Sequence, residues 1–192
     1  VLKKNVKENS NREKLIALLP GSRDQEISKI LPEMLSVTKY FKNYQFTICA
    51  APSKNKSFYE KFIASGDYEN VDIVEDQTYN ILERSSAALV TSGTATLEAA
   101  LIKTPQIVCY KSSWISILIG KFLLRNLKFI SLVNLILNKG AVKELIQNDL
   151  NTKNITEELK IILSKDGKNK MIKYYNELEN LLLNKKGASR ET

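Results

Sequence analysis

The chain has 192 residues, 43% of them hydrophobic, which suits one globular domain with a sizeable core. Seven glycines and four prolines are too few for a collagen-like or low-complexity chain, and the longest apolar stretch, around 114–120, is cut by Lys121, well short of the ~20 residues of a membrane-spanning helix. Lysine and arginine outnumber aspartate and glutamate by 29 to 21, a net charge of +8, while the absence of histidine excludes any imidazole base or ligand from this chain and the usual zinc sites.

The opening, VLKKNVKENSNREK, is polar, lacks Met and begins in mid-pattern, so we expect a fragment of a longer protein with no secretory signal here. Residues 14–19 (KLIALL) are a short apolar run closed by Pro-Gly, hence a buried strand. Residues 24–42 carry one helical stripe: Ile27, Ile30, Leu31, Met34, Leu35, Val37 and Phe41. A strand at 45–50, a helix at 56–64, a strand at 71–74 and a short helix at 78–84 follow. Residues 86–90 (SAALV) form the fourth strand, and TSGTATLEAAL opens a helix through Lys103. We place a fifth strand at 106–110 (QIVCY), a largely apolar helix at 114–127 and a sixth strand at 129–133 (FISLV). From Ala141 onward the pattern is helical, broken at Asn148-Asp149 and Asp166-Gly167.

Strands alternating with helices require right-handed crossovers and a parallel sheet covered on both faces. The predicted fold is therefore α/β, a Rossmann-like doubly wound parallel sheet over 14–165, with a polar leading segment (1–13) and a helical tail (166–192). Cys49 and Cys109 each fall in a predicted buried strand and read as reduced core thiols of a cytoplasmic protein. Between 99 and 143 there is no acidic residue, while Lys103, Lys111, Lys121, Arg125, Lys128, Lys139 and Lys143 are all basic. Such a one-sign window attracts polyanions, unless it is only a solubilising surface.

In a sheet of this kind ligands bind at the carboxyl ends of the strands. Two strand-to-helix turns carry unusual chemistry. In LLPGSRDQE, Gly21 permits a tight turn, and Ser22 with Gln25 has a capping-box pattern. Arg23 then faces the positive end of a helix dipole and needs an anion, either a phosphate or one of Asp24, Glu26 and Asp67. In TSGTATLEAAL, a cap by Ser92 or Thr94 would leave the amides of Gly93, Thr94 and Ala95 as an anion-binding mouth. The hydroxyls of Ser92, Thr94 and Thr96 can add bonds to phosphate, and Glu98, one turn in, can accept bonds from a sugar diol. The competing reading is a plain capped helix packed closely on the sheet. There is no GxGxxG and no Walker lysine.

Taken together, PGSR and TSGTATLEAAL resemble the lipid-A-disaccharide synthase family, glycosyltransferases of the GT-B fold (family 19). Pro105-Gln106, Tyr110-Lys111, SLVNLIL from Ser131, VKELIQ from Val142 and the closing GASRET carry the same resemblance, collinear from about Lys14 to the end. The resemblance implies that this chain is the C-terminal half of a two-domain enzyme, 1–13 leading from a missing N-terminal half that supplies the general base. It implies transfer of 2,3-diacylglucosamine from its UDP derivative to 2,3-diacylglucosamine 1-phosphate, with inversion and release of UDP, in lipid A biosynthesis. No metal or other cofactor is implied. No catalytic residue is expected in this chain. Gly21, Ser22, Arg23, Ser92, Gly93, Thr94, Thr96 and Glu98 would hold the UDP donor. Tyr110, Lys111, Asn134 at the end of the sixth strand, and Glu144 and Gln147 on the following helix would lie at the cleft. Their alternatives are a strand-end cap for Asn134 and a solvated helix face for the other two.

Trp114, Lys121 and Arg125, at i, i+7 and i+11 with Leu118 and Phe122 beside them, make an aromatic and aliphatic face edged by cations. That face suits peripheral contact with the inner face of the cytoplasmic membrane of a Gram-negative bacterium. The alternative is a helix buried under the sheet or in a homodimer interface. Rival functions are another UDP-sugar enzyme of this fold, of the lipid II glycosyltransferase or UDP-N-acetylglucosamine 2-epimerase type, and a non-catalytic basic nucleic-acid-binding domain. The last is disfavoured, because no aromatics interleave with basic residues on the predicted strands, and no nucleic-acid partner is expected.

Overall fold

The computed structural model describes residues 12–66, 68–111 and 128–188, with side chains to residue 183. In chain order the elements are β1 (Glu13–Leu19), α1 (Asp24–Leu35), β2 (Gln45–Cys49), α2 (Lys56–Ile63), β3 (Val71–Val74), α3 (Thr78–Arg84), β4 (Ser85–Thr91), α4 (Ala95–Leu101), β5 (Gln106–Tyr110), α5 (Leu132–Leu137), β6 (Lys143–Ile146), α6 (Thr152–Leu163) and α7 (Lys165–Ala188). The six strands form one sheet in the order β3-β2-β1-β4-β5-β6, and every ladder is parallel. This is the doubly wound arrangement that the alternation of strands and helices predicts. The order reverses between β1 and β4, the switch point at which such sheets open a crevice. There Leu18 lies level with Leu89 and Leu19 with Val90, so the two turns leave the sheet side by side.

Alternation along β1 sorts its side chains to two cores. Ile16 and Leu18 join the layer under α1, α5, α6 and α7, while Leu15, Ala17 and Leu19 meet α3 and α4. Each fully buried Leu or Ile contributes about 1.5–3 kcal/mol relative to exposure. Cys49 and Cys109 are both buried and free. From α7, Met171, Tyr175 and Leu178 complete the first layer. Gln106 Nε2 donates to Thr96 O at 2.9 Å and to Tyr175 Oη at 3.2 Å, fastening that helix to β5 and α4.

Three expectations are corrected. Residues 129–133 are not the sixth strand: Ser131 Oγ accepts from Asn134 N and starts α5 at Leu132. The β-branched and aromatic composition of FISLV mimics a strand, but the cap outweighs so short a propensity. The sixth strand is KELI, expected to be helical. It pairs with β5 from Ile107↔Lys143 to Tyr110↔Ile146 at the sheet edge, where a charged strand is tolerated. The helix expected over 24–42 ends at Leu35, where Thr38 Oγ1 bonds to Leu35 O, and continues as a 3₁₀ turn at Thr38–Tyr40.

The basic window is also redistributed by folding. Lys103 pairs with Glu179 (2.6 Å), Lys111 with Glu33 (2.6 Å), Lys139 with Glu177 (2.6 Å) and Lys143 with Glu158 (3.4 Å). Carboxylates from α1, α6 and α7 thus answer four of its cations, which the local sequence does not show.

Candidate functional site

The β1–α1 turn is built on Gly21, whose φ of +99° favours glycine. A Cβ there would meet Thr91 Cγ2 at 3.4 Å, so this turn rests against the last residue of β4. The Ser22–Gln25 capping box does not form: the N-cap position falls on Arg23, with no side-chain cap bond, and Ser22 lies outside the helix. Arg23 Nη1 pairs with Glu26 Oε1 at 3.0 Å, and its side chain is 81% exposed. The anion that the helix dipole calls for comes here from the first turn of α1 itself. Exposed pairs of this kind contribute only about 0–1 kcal/mol, so a phosphate can displace Glu26 at small cost. Beside it, Asp24 is held below the usual carboxylate range by its bond to Lys54.

At the β4–α4 turn the N-cap position is Thr94, again without a side-chain bond. The first amide with an intrahelical acceptor is that of Thr96, bonded to Gly93 O at 3.2 Å. The amides of Gly93, Thr94 and Ala95 therefore precede the helix ladder. Gly93 is exposed, and a Cβ added to it would touch nothing within 4 Å among the described residues, so their packing does not demand a glycine here. Two of the three expected hydroxyl donors are already committed. Thr96 is buried and its Oγ1 donates to Gly93 O at 2.8 Å, whereas Ser92 Oγ donates to Ile130 O at 3.0 Å. Neither side chain caps the helix, and Thr94 alone of the three is exposed. Glu98 is half-buried in the first turn of α4, where a carboxylate is favourable. One residue missed by sequence reasoning is Thr91, whose buried Oγ1 has no hydrogen-bond partner among the described residues. Its signal was its place as the last residue of the strand before the turn.

Farther along the same edge, Tyr110 closes β5, and the following Lys111 is tied to Glu33 of α1. Asn134 is not at a strand end but inside α5 and 1% exposed. Its Oδ1 accepts from Ala141 N (2.8 Å) and Val142 N (2.9 Å), and its Nδ2 donates to Val142 O (2.9 Å) and Glu144 Oε1 (2.8 Å). Glu144 lies on β6, not on a helix, and is half-buried. Gln147 starts a 3₁₀ turn at Gln147–Asp149 with φ +55°, and its buried Nε2 has no partner among the described residues. Trp114, Leu118, Lys121, Phe122 and Arg125 lie outside the described residues.

A hollow of about 430 Å³ opens at the carboxyl ends of β2 and β3, lined by Pro52, Lys54, Asn55 and Glu75, on the same edge as the two turns. Another of about 500 Å³ lies beside β6, between Phe129, Glu144, Ile161 and Tyr174. Among the described residues no group of three or more Cys, Asp or Glu side chains is placed to hold a metal ion.

The model of the lipid-A-disaccharide synthetase family matches residues 2–191. The chain belongs to this family. It is 38% identical over 161 residues to the lipid-A-disaccharide synthase of Syntrophus aciditrophicus, covering 82% of this chain and 42% of the relative. The corresponding enzyme of Anaeromyxobacter sp. (strain K) is 34% identical over 152 residues, 77% of this chain and 39% of that one. The chain thus spans about two fifths of the length of these curated relatives. Among solved structures, UDP-GlcNAc 2-epimerase from Neisseria meningitidis bound to UDP-GlcNAc superposes with a TM-score of 0.52 at 17% identity, covering 91% of this chain and 45% of that one. At that identity the likeness shows the fold, a GT-B-type Rossmann-like domain. Among the described residues of this family member no helix is long and apolar enough to cross a membrane.

Proposed function

We propose that this chain is the donor-binding part of a hexosyltransferase that moves 2,3-diacylglucosamine from its UDP derivative to 2,3-diacylglucosamine 1-phosphate, with inversion. The observation that carries the reading is the contact of Gly21 with Thr91 at the strand-order switch. It sets the Arg23 turn beside the amides of Gly93, Thr94 and Ala95, which precede the helix ladder of α4. In the proposed complex those amides and the Thr94 hydroxyl take the diphosphate oxygens. Arg23 leaves Glu26 to make paired bonds to the same phosphates, while Gly21 and Ser22 let the backbone approach. Glu98 accepts the ribose hydroxyls. Donors aimed at the departing UDP stabilise the charge that builds on it as the glycosidic bond breaks. The residues of this chain bind and orient the leaving group, and the general base belongs to the rest of the enzyme.

The half-buried, fully bonded state of Glu144 and the burial of Asn134 argue against direct substrate contacts by either. Tyr110, Lys111 and Gln147 keep the proposed place at the cleft edge. Docking through Trp114, Leu118, Lys121, Phe122 and Arg125 on the inner face of the cytoplasmic membrane belongs to the same proposal, since both sugars carry acyl chains.

Isothermal titration of the chain with UDP tests the reading. Binding is expected, weakened about tenfold or more in Arg23→Ala, the loss of one charge-assisted contact. Glu98→Ala should lower affinity for UDP while leaving that for inorganic pyrophosphate unchanged. UDP heat that survives both substitutions undiminished would overturn the assignment.

A further inference from the structure

One carboxylate near the site gathers four donors from the protein itself. Glu144 Oε1 accepts from Ser131 N (2.9 Å), Ser131 Oγ (2.7 Å) and Asn134 Nδ2 (2.8 Å), and Oε2 accepts from Ile130 N (3.0 Å). An ionised carboxylate is an acceptor only, with about four lone-pair positions, so this set nearly saturates it. The donors hold the segment from Ile130 to Ser131 in one place. The carbonyl of that same Ile130 receives the hydroxyl of Ser92 at 3.0 Å, 38 residues earlier in the chain. A continuous chain of bonds therefore runs from edge strand β6, through Glu144 and Ile130, to the residue directly before Gly93.

We infer that Glu144 is a positioning residue for the β4–α4 turn, fixing the Ile130 carbonyl on which Ser92 is anchored, and so setting the direction of the Gly93 and Thr94 amides. The inference rests on the reading of that turn as the diphosphate site. Asn134 supports the arrangement from below. Its amide binds Glu144 and closes the loop through Ala141 and Val142, which keeps the start of β6 in register with the start of α5. Glu144→Gln keeps the shape of the side chain but turns one acceptor into an N–H donor facing other donors. Both oxygens are in use, so neither orientation of the amide restores the full set.

The test combines amide NMR spectra of the ¹⁵N-labelled chain with UDP titrations of the wild type, Glu144→Gln, Ser92→Ala and the double variant. Arg12→Met, at the opposite end of the sheet, serves as a control that lowers stability alone. Glu144→Gln is expected to shift the amide resonances of Ser92, Gly93 and Thr94, and Ser92→Ala to shift those of Ile130 and Ser131. UDP binding should weaken about tenfold in either single variant and no further in the double, the signature of two residues acting through one link. Arg12→Met should melt earlier with its UDP affinity unchanged. Losses that multiply in the double variant, or a Glu144→Gln spectrum unmoved at 92–94 despite a lower Tm, would overturn the inference and leave Glu144 merely structural. A wild-type chain that takes no UDP would refute the nucleotide reading instead, while the reciprocal resonance shifts would still decide the link between Glu144 and Ser92.

Discussion

Gly21 answers to two constraints at once: a backbone φ of +99° and the side chain of Thr91 at 3.4 Å from where a Cβ would stand. Gly21→Ala should therefore destabilise the fold by about 1–2 kcal/mol, since an L-residue is strained in that region and the neighbour must give way. A urea unfolding curve with a lower midpoint and an unchanged slope is the expected result. An unchanged midpoint would mean that the turn relaxes freely. Gly93 differs, with no described residue within 4 Å of an added Cβ, so Gly93→Ala should leave the midpoint nearly unmoved and act on ligand approach instead. Composition told both glycines apart from their neighbours, but it could not tell them apart from each other. The difference lies in what stands opposite each one. The same limit explains the hydroxyls: Ser92, Thr94 and Thr96 look alike in a string of small residues. Only the packed structure shows Thr96 turned inward on Gly93 O and Ser92 spent on Ile130 O.

Among the elements, Arg12 fastens the amino-terminal end of the sheet. Its guanidinium donates to Leu82 O (2.7 Å), Ser85 O (2.8 Å), Thr104 Oγ1 (3.0 Å) and Ile102 O (2.8 Å), gathering carbonyls where α3 and α4 end. A cation there also complements both helix dipoles. Burial draws its pKa below the ordinary arginine value without discharging it near neutral pH. Arg12→Met should cost about 3 kcal/mol, because the carbonyls lose charge-assisted bonds that an apolar side chain cannot replace. Thermal and chemical denaturation should both record the loss. Strands β1 to β5 were legible because each is a short run rich in apolar and β-branched residues bounded by turns or helix signals. The β6 strand was not, since KELI has no apolar periodicity and owes its conformation to the free edge of β5. The helix α5 was concealed for the converse reason, its cap outweighing a strand-like composition.

For the whole molecule, the buried thiols set a limit at alkaline pH. Burial pushes the Cys49 thiol up to about 12 and raises that of Cys109 as well, while an unfolded thiol ionises near ~8.5. Between those values the folded chain retains protons that the unfolded chain has released, so stability falls as pH rises across that window. The decline is expected to begin above about pH 9 and to flatten in Cys49→Ala/Cys109→Ala, followed by Tm against pH. A pH-independent Tm up to 11 would contradict it. The sequence by itself determined the alternation of strands and helices, hence a parallel doubly wound sheet, and it marked the two turns proposed to hold the donor. Those are short-range properties, written in periodicity and turn chemistry over a few residues. Strand order, the pairing of Lys103, Lys111, Lys139 and Lys143 with distant carboxylates, and the placing of the cleft candidate Glu144 on an edge strand, bonded to Ile130, Ser131 and Asn134, were decided by tertiary structure alone. Each depends on which remote segment comes to lie within about 3 Å, and hydrogen bonds and ion pairs at that range have no counterpart in local sequence.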